Sequence, residues 1–203
     1  MEIKICGLTR PEDIEFVNDL NPEYVGFVFA ASKRRIDKEK CKELTRLLNK
    51  GIKKVGVFVN SSVNEINAIA KYCTLDICQL HGEESPKQCG DIKRNVWKAF
   101  RIKGKESFEN ILDYDVSGYL LDAYHENIYG GTGKTFQWDL ITQINKDKKI
   151  ILAGGITPTN VQKAIGVKNV QIIDVSSGVE SNGIKDYEKM KKLIERVRGN
   201  EKQ

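Results

Sequence analysis

Two side chains able to move protons close apolar runs in this chain. Cys6 ends Lys4-Ile5-Cys6-Gly7, and Asp122 ends Tyr119-Leu120-Leu121-Asp122. A thiolate can take a proton and a carboxylic acid can give one. Two more apolar runs end in small residues, Leu152-Ala153-Gly154-Gly155 and Asp174-Val175-Ser176-Ser177-Gly178. Small residues let backbone N–H groups close on an anion such as phosphate. A base, an acid and two anion-cradling loops, each just after a strand-like run, form the layout of a sugar-phosphate enzyme on a (β/α) barrel. In that fold the chemistry sits at the C-terminal ends of the strands.

Each of these residues also has a plainer reading. Cys6 can be a small core hydrophobe. Asp122 can be a helix cap or a solvated loop residue. Alternation along a strand puts Lys4 and Cys6 on one face and Ile3 and Ile5 on the other. The isoleucines suit the helix-covered side, which sends Lys4 and Cys6 into the barrel. Lys4 lies deeper and needs a buried anion, since an unpaired buried ammonium is very costly. Cys6 lies at the rim.

Other candidates are substrate contacts. Arg34, in Ser32-Lys33-Arg34-Arg35, follows the second apolar run and could grip a carboxylate bidentately or sit in a solvated turn. His81, in Gln79-Leu80-His81-Gly82, could touch ligand or be a satisfied loop histidine. Gly154, Gly155, Asp174, Ser176, Ser177 and Gly178 complete the substrate-binding candidates, the glycine and serine turns serving phosphate. His125 has no assigned role, and Trp97 and Trp138 read as packing residues. The serines lack a recognisable hydrolase context, which disfavours nucleophilic serine chemistry.

Eight strand candidates carry these groups: 3–6, 24–29, 54–59, 76–80, 96–100, 119–121, 150–153 and 172–175. Helical patterns lie between them at 11–20, 37–48, 63–72, 85–93, 106–112, 137–144, 158–165 and 186–197. Thr9 is the expected N-cap of the first helix, with Pro11 in its first turn. Alternating strand and helix signals predict a parallel sheet wrapped by helices. The fold class is α/β, a single (β/α)8 TIM barrel of the phosphate-binding type, with residues 1–203 as one catalytic domain. A doubly wound open sheet is the alternative, but no G-x-G-x-x-G turn follows the first strand. Between 123 and 133 a glycine-rich stretch, Gly130-Gly131-Thr132-Gly133, suits a loop that moves over a ligand.

Composition narrows the class further. The 203 residues suffice for one domain with a sizeable core, and 33 Lys and Arg face 28 Asp and Glu. The charges are interspersed, so the +5 balance suggests attraction for an anionic substrate and no nucleic-acid partner. Five cysteines without a C-x-x-C pair, and two scattered histidines, form no zinc pattern and suggest a reducing, cytoplasmic setting. No apolar run approaches the ~20 residues of a membrane span, and none reads as a signal segment.

The ordered set of motifs resembles a known family. Lys4-Ile5-Cys6-Gly7-Leu8-Thr9, Gly26-Phe27-Val28-Phe29, Ser32-Lys33-Arg34, Val57-Phe58-Val59, Gln79-Leu80-His81-Gly82 and Leu121-Asp122 come first. Gly130-Gly131-Thr132-Gly133-Lys134-Thr135-Phe136, Trp138, Ala153-Gly154-Gly155-Ile156, Pro158, Asn160-Val161 and Asp174-Val175-Ser176-Ser177-Gly178-Val179-Glu180 follow. Together they resemble phosphoribosylanthranilate isomerase of tryptophan biosynthesis over nearly the whole chain. The resemblance implies an Amadori rearrangement of a phosphoribosylated anthranilate, with Asp122 as general acid on the ring oxygen and Cys6 as general base at sugar C2. It implies that Arg34 holds the anthranilate carboxylate. One local departure is Ala30-Ala31 before Ser32, where the family's stretch is usually longer and contains proline. A free thiol titrates near ~8.5 and a free aspartic acid near ~3.9, so both roles require an environment that retunes the group. No metal or organic cofactor is implied, because aldose–ketose proton transfer needs only an acid and a base. The expected partner is a small sugar-phosphate substrate, with a monomer or homodimer both open. The alternatives are the related aminoaldose isomerase of histidine biosynthesis, which uses two aspartates, and a non-catalytic phosphate-binding barrel.

Overall fold

The computed structural model describes residues 1–102, 111–122 and 148–199. Eight strands close into one barrel in chain order. They are β1 (Glu2–Cys6), β2 (Tyr24–Val28), β3 (Lys53–Phe58), β4 (Ile77–Leu80), β5 (Asn95–Arg101), β6 (Gly118–Asp122), β7 (Lys149–Ala153) and β8 (Ile172–Val175). Every neighbouring pair is parallel, and β1 closes the ring by pairing with β8, with Lys4 opposite Asp174. All eight predicted strands are present, and most ends differ by one residue.

Inward and outward residues alternate as the pleat requires. Tyr24, Val55, Ile77, Trp97, Ala99, Leu120, Ile151, Ala153 and Ile172 form one buried cluster inside the barrel. Ile3, Ile5, Val25, Phe27, Phe58, Leu80, Leu121, Leu152 and Ile173 belong to a second, beneath the helices. The isoleucines of β1 therefore face outward, and Lys4 and Cys6 face in, as alternation predicts. At the N-terminal end of the strands, Lys149 Nζ donates to Glu2 Oε2 at 2.5 Å and to the Tyr24 hydroxyl at 2.9 Å.

Helices α1 (Pro11–Leu20), α2 (Lys38–Arg46), α3 (Val63–Tyr72), α4 (Pro86–Gly90), α5 (Val161–Ile165) and α6 (Tyr187–Gly199) are described. The N-cap of α1 is Arg10, not Thr9. The reason is Asp13, whose Oδ2 accepts the backbone N–H of both Thr9 and Arg10. Helix α4 is shorter than expected because residues beyond Gly90 turn away: Asn67 accepts the Lys93 N–H and donates to the Asp91 carbonyl. Helix α5 begins only after a turn in which Asn160 accepts the Thr157 N–H. Leu112 lies in a short 3-10 turn, Ile111–Asp113. The rest of the expected helix at 106–112, the helix at 137–144, the loop Gly130–Gly133, His125 and Trp138 lie outside the described residues. A small hairpin, β9 (Glu180–Ser181) with β10 (Ile184–Lys185), follows β8 and was not expected.

The loop after β4 is pinned from behind by a buried ion pair. Lys98 and Glu84 are each 2% exposed. Lys98 Nζ donates to Glu84 Oε2 at 3.0 Å and to the Gly82 carbonyl at 2.6 Å. Glu84 also accepts the N–H groups of Asn60 and Gly82. Burial opposes ionisation of Glu84, but these N–H donors and Lys98 hold its carboxyl below the ordinary glutamate value. Its stabilising contribution is therefore present above the unfolded value and lost as pH falls through the lower folded one. Glu84→Gln leaves Lys98 without its counter-ion and should cost about 3–5 kcal/mol near neutral pH. Urea melts of the two proteins should show this gap narrowing below about pH 4; a gap independent of pH would sink the assignment.

Candidate active site

The floor of the site is a cation. Lys4 is fully buried, and its Nζ donates to Asp174 Oδ2 at 2.7 Å and to Gln79 Oε1 at 2.8 Å. The buried anion that the sequence demands for Lys4 is thus Asp174, its direct neighbour across the β1–β8 register. Burial alone would lower the Lys4 pKa, yet Asp174 and Cys6 raise it above the ordinary lysine value. Asp174 itself was expected to contact substrate; one of its oxygens is committed to Lys4, and Oδ1 is buried without a partner among the described residues. A carboxylate oxygen left this way can still accept from a bound hydroxyl.

Cys6 is the next inward residue of β1 and is 8% exposed. Room for its thiol comes from Gly26 on β2: a Cβ there would lie 2.6 Å from Cys6 Sγ. Burial pushes the Cys6 thiol above its ordinary value, Lys4 and Lys185 pull it down, and Asp174 pushes it up. The nearby cations thus offset part of the burial cost of the thiolate.

Asp122 ends β6 on the inward face, two residues after Leu120. His81 Nε2 lies 3.3 Å from Asp122 Oδ2, and His81 Nδ1 lies 3.0 Å from Gln79 Nε2. Gln79 is the residue that Lys4 also holds. One hydrogen-bonded chain therefore runs from Asp122 through His81 and Gln79 to Lys4, beside Cys6. Both His81 ring nitrogens are engaged within the protein.

Arg34 sits against Gly7, where any Cβ would strike the Arg34 side chain and where φ is +84°. Its Nε and Nη2 donate to the two oxygens of Glu180 at 2.6 and 2.7 Å. Lys185 Nζ reaches the same carboxylate at 2.5 Å and the Ser176 carbonyl at 3.2 Å. Burial would raise the Glu180 pKa, but Arg34 and Lys185 hold it below the ordinary range. Burial lowers Lys185, with Glu180 opposing.

The small-residue turns converge at the same end of the barrel. Gly154 and Gly155 have φ of +97° and +61°, a backbone that side-chain-bearing residues rarely adopt. Ser177 and Gly178 open a 3-10 turn, Ser177–Val179, after β8. A Cβ on Gly178 would run into the Ile156 carbonyl, so the turns after β7 and β8 touch. Ser176 Oγ donates to the Cys6 carbonyl at 3.0 Å, which ties the β8 turn to the end of β1.

Four residues here carried no predicted role: Gln79, Glu84, Glu180 and Lys185. Inward polar residues on strands offered a signal for Gln79. Among the described residues no group of three His, Cys, Asp or Glu is placed to hold a metal ion. Also among them, no helix is long and apolar enough to cross a membrane.

The Gly26 contact yields a direct test. In Gly26→Ala the new methyl and the Cys6 thiol compete for one space, with overpacking of about 1–3 kcal/mol. Turnover should fall at least about tenfold from the displaced thiol. A folded Gly26→Ala protein with full turnover would show that the thiol position is unimportant.

Comparison with known proteins identifies relatives over the whole barrel. The family profile described as N-(5'phosphoribosyl)anthranilate (PRA) isomerase matches residues 3–196. N-(5'-phosphoribosyl)anthranilate isomerases of a Thermoanaerobacter species and of Clostridium acetobutylicum are 49% and 46% identical, with 98% of each chain covered. A crystal structure of phosphoribosyl anthranilate isomerase from Thermotoga maritima superposes with a TM-score of 0.87 at 38% identity, over 98% of this chain and 99% of that one. Another, in complex with reduced 1-(o-carboxyphenylamino)-1-deoxyribulose 5-phosphate, gives 0.86 at 36% identity over the same shares. The chain belongs to the phosphoribosylanthranilate isomerase family.

Proposed function

We propose that Cys6 is the general base and Asp122 the general acid of the family's reaction in this chain, which we read as one catalytic domain. The chain is an aldose–ketose isomerase of L-tryptophan biosynthesis. It rearranges N-(5-phospho-β-D-ribosyl)anthranilate to 1-(o-carboxyphenylamino)-1-deoxyribulose 5-phosphate. The observation that carries the residue assignment is the placement of both groups on inward faces at strand ends, joined by the Lys4–Gln79–His81 chain.

The steps follow from that placement. Asp122 gives its proton to the furanose oxygen as the C1–O bond breaks, and the anilino nitrogen lone pair forms the C1=N bond of a protonated Schiff base. The Cys6 thiolate then removes the C2 proton, and the electron pair moves through C1 to neutralise nitrogen, giving an enolamine. The enolamine tautomerises to the ketone as the enol O–H loses a proton and C1 gains one, and proton exchange with water returns Asp122 to the acid and Cys6 to the thiolate, so no atom is gained or lost overall. The substrate phosphate sits in the turns of Gly154, Gly155, Ser176, Ser177 and Gly178, mostly on backbone N–H groups. Arg34 binds the anthranilate carboxylate. A guanidinium has five N–H donors in a planar fork. Glu180 takes the edge made by Nε and Nη2, which leaves the Nη1–Nη2 edge for a second carboxylate.

Steady-state kinetics on three variants tests the division of labour. Cys6→Ser and Asp122→Asn should each lower kcat by about 10²–10⁴-fold with KM little changed. Arg34→Ala removes a contact made in ground and transition states alike, so KM should rise most, by roughly 30-fold for a loss of ~2 kcal/mol. Unchanged kcat in Cys6→Ser would return that thiol to a packing role.

A further inference from the structure

The chain of hydrogen bonds beneath Asp122 has a direction that the donors and acceptors dictate. It starts at Lys4, whose ammonium has three donors and no acceptor. The Gln79 atom 2.8 Å from Lys4 Nζ must therefore be the carbonyl oxygen, which orients the whole amide. The Gln79 NH2 then faces His81 Nδ1 at 3.0 Å. An amide NH2 only donates, so Nδ1 must present a lone pair. A neutral imidazole without a proton on Nδ1 carries it on Nε2. That N–H points at Asp122 Oδ2, 3.3 Å away. In the acid form of Asp122, an Oδ2 that accepts from His81 is the carbonyl-like oxygen, which leaves Oδ1 to carry the acidic proton.

We propose that Gln79 is a positioning residue: fixed by Lys4, it holds His81 as the neutral Nε2–H tautomer, and His81 holds Asp122 so that Oδ1 carries the proton given to substrate. The proposal rests on the reading of Asp122 as general acid. It assigns His81, expected from the sequence to touch ligand, to orienting the acid. It also gives the buried Lys4 a second task beyond the pairing with Asp174. An imidazolium would be wrong here twice over. Its Nδ1–H would oppose the Gln79 NH2, and its charge would favour Asp122 as carboxylate, the form with no proton to give.

The spectroscopic test does not depend on activity. The chain has two histidines, so the ¹⁵N signals of His81 can be assigned by comparison with a His125→Asn variant. In the resting protein near neutral pH, His81 should show a protonated Nε2 and an unprotonated Nδ1. A proton on Nδ1 overturns the proposal, whether as the other tautomer or as imidazolium. Gln79→Glu keeps the acceptor for Lys4 and turns the group facing Nδ1 from donor to acceptor. In that variant Nδ1 should gain a proton, and kcat should fall about 10²-fold, the scale expected for a misplaced reacting group, with KM within about threefold. Full kcat in a folded Gln79→Glu protein also overturns it. His81→Gln retains an amide N–H near the Nε2 position and should keep more activity than His81→Leu; equal losses would reduce His81 to a spacer. If Asp122→Asn were fully active, the acid assignment would fail while the tautomer of His81 stood, so the two failures are distinguishable.

Discussion

The buried ammonium of Lys4 is the constraint on which the site is built. Placing an ion in a protein interior costs several kcal/mol unless it is paired and hydrogen-bonded. Here Asp174 comes from β8 and Gln79 from β4, so three strands must hold one register around a single nitrogen. A slip by one residue would turn every inward group outward. The same nitrogen is coupled to Cys6 and to Asp122 by different routes. It acts on Cys6 through space, as the next inward group on its own strand. It is linked to Asp122 by hydrogen bonds through Gln79 and His81.

A second ionic cluster also acts on Cys6. Arg34, Glu180 and Lys185 come from the turn after β2 and from the hairpin after β8, and they share one carboxylate. Two cations against one anion leave a net positive charge near the thiol. Burial works against the thiolate, and these cations work for it. The Glu180 and Lys185 side chains are buried and that of Arg34 is partly exposed, so the pairing is screened little by solvent. Arg34 is 29% exposed at its side chain and Glu180 is 6%, so the shared carboxylate is the more deeply placed partner.

How much of this the sequence shows depends on how local the cause is. Strands were legible because apolar β-branched runs report burial directly, and the inward direction of Lys4 followed from Ile3 and Ile5 alone. The positions of Cys6 and Asp122 at strand ends were legible for the same reason. The partner of Lys4 was not, because Asp174 is 170 residues away and becomes a neighbour only when the barrel closes. His81 was visible as a residue but not as a link to Asp122, since that contact needs β4 and β6 to be placed across an intervening strand. The ends of α4 and α5 were misread because side chains from elsewhere, or a local Asn160 turn, outcompeted helical propensity. The hairpin that supplies Glu180 and Lys185 has strands of only two residues, too short for any periodic signal.

The polar floor works because of what lies under it. On β4, β6 and β8 an inward apolar residue is followed two positions later by an inward polar one: Ile77 by Gln79, Leu120 by Asp122, Ile172 by Asp174. Together with Tyr24, Val55, Trp97 and Ile151, the apolar members plug the barrel between this floor and the Glu2–Lys149 contact at its N-terminal end. Lys4 has no exposed surface above this plug, so its charge is met by Asp174, Gln79 and Cys6. In a drier medium each of those interactions is also stronger and more directional than it would be in bulk water. The apolar layer thereby leaves the Lys4 ammonium to hold the Gln79 carbonyl, with the Gln79 amide nitrogen turned to His81.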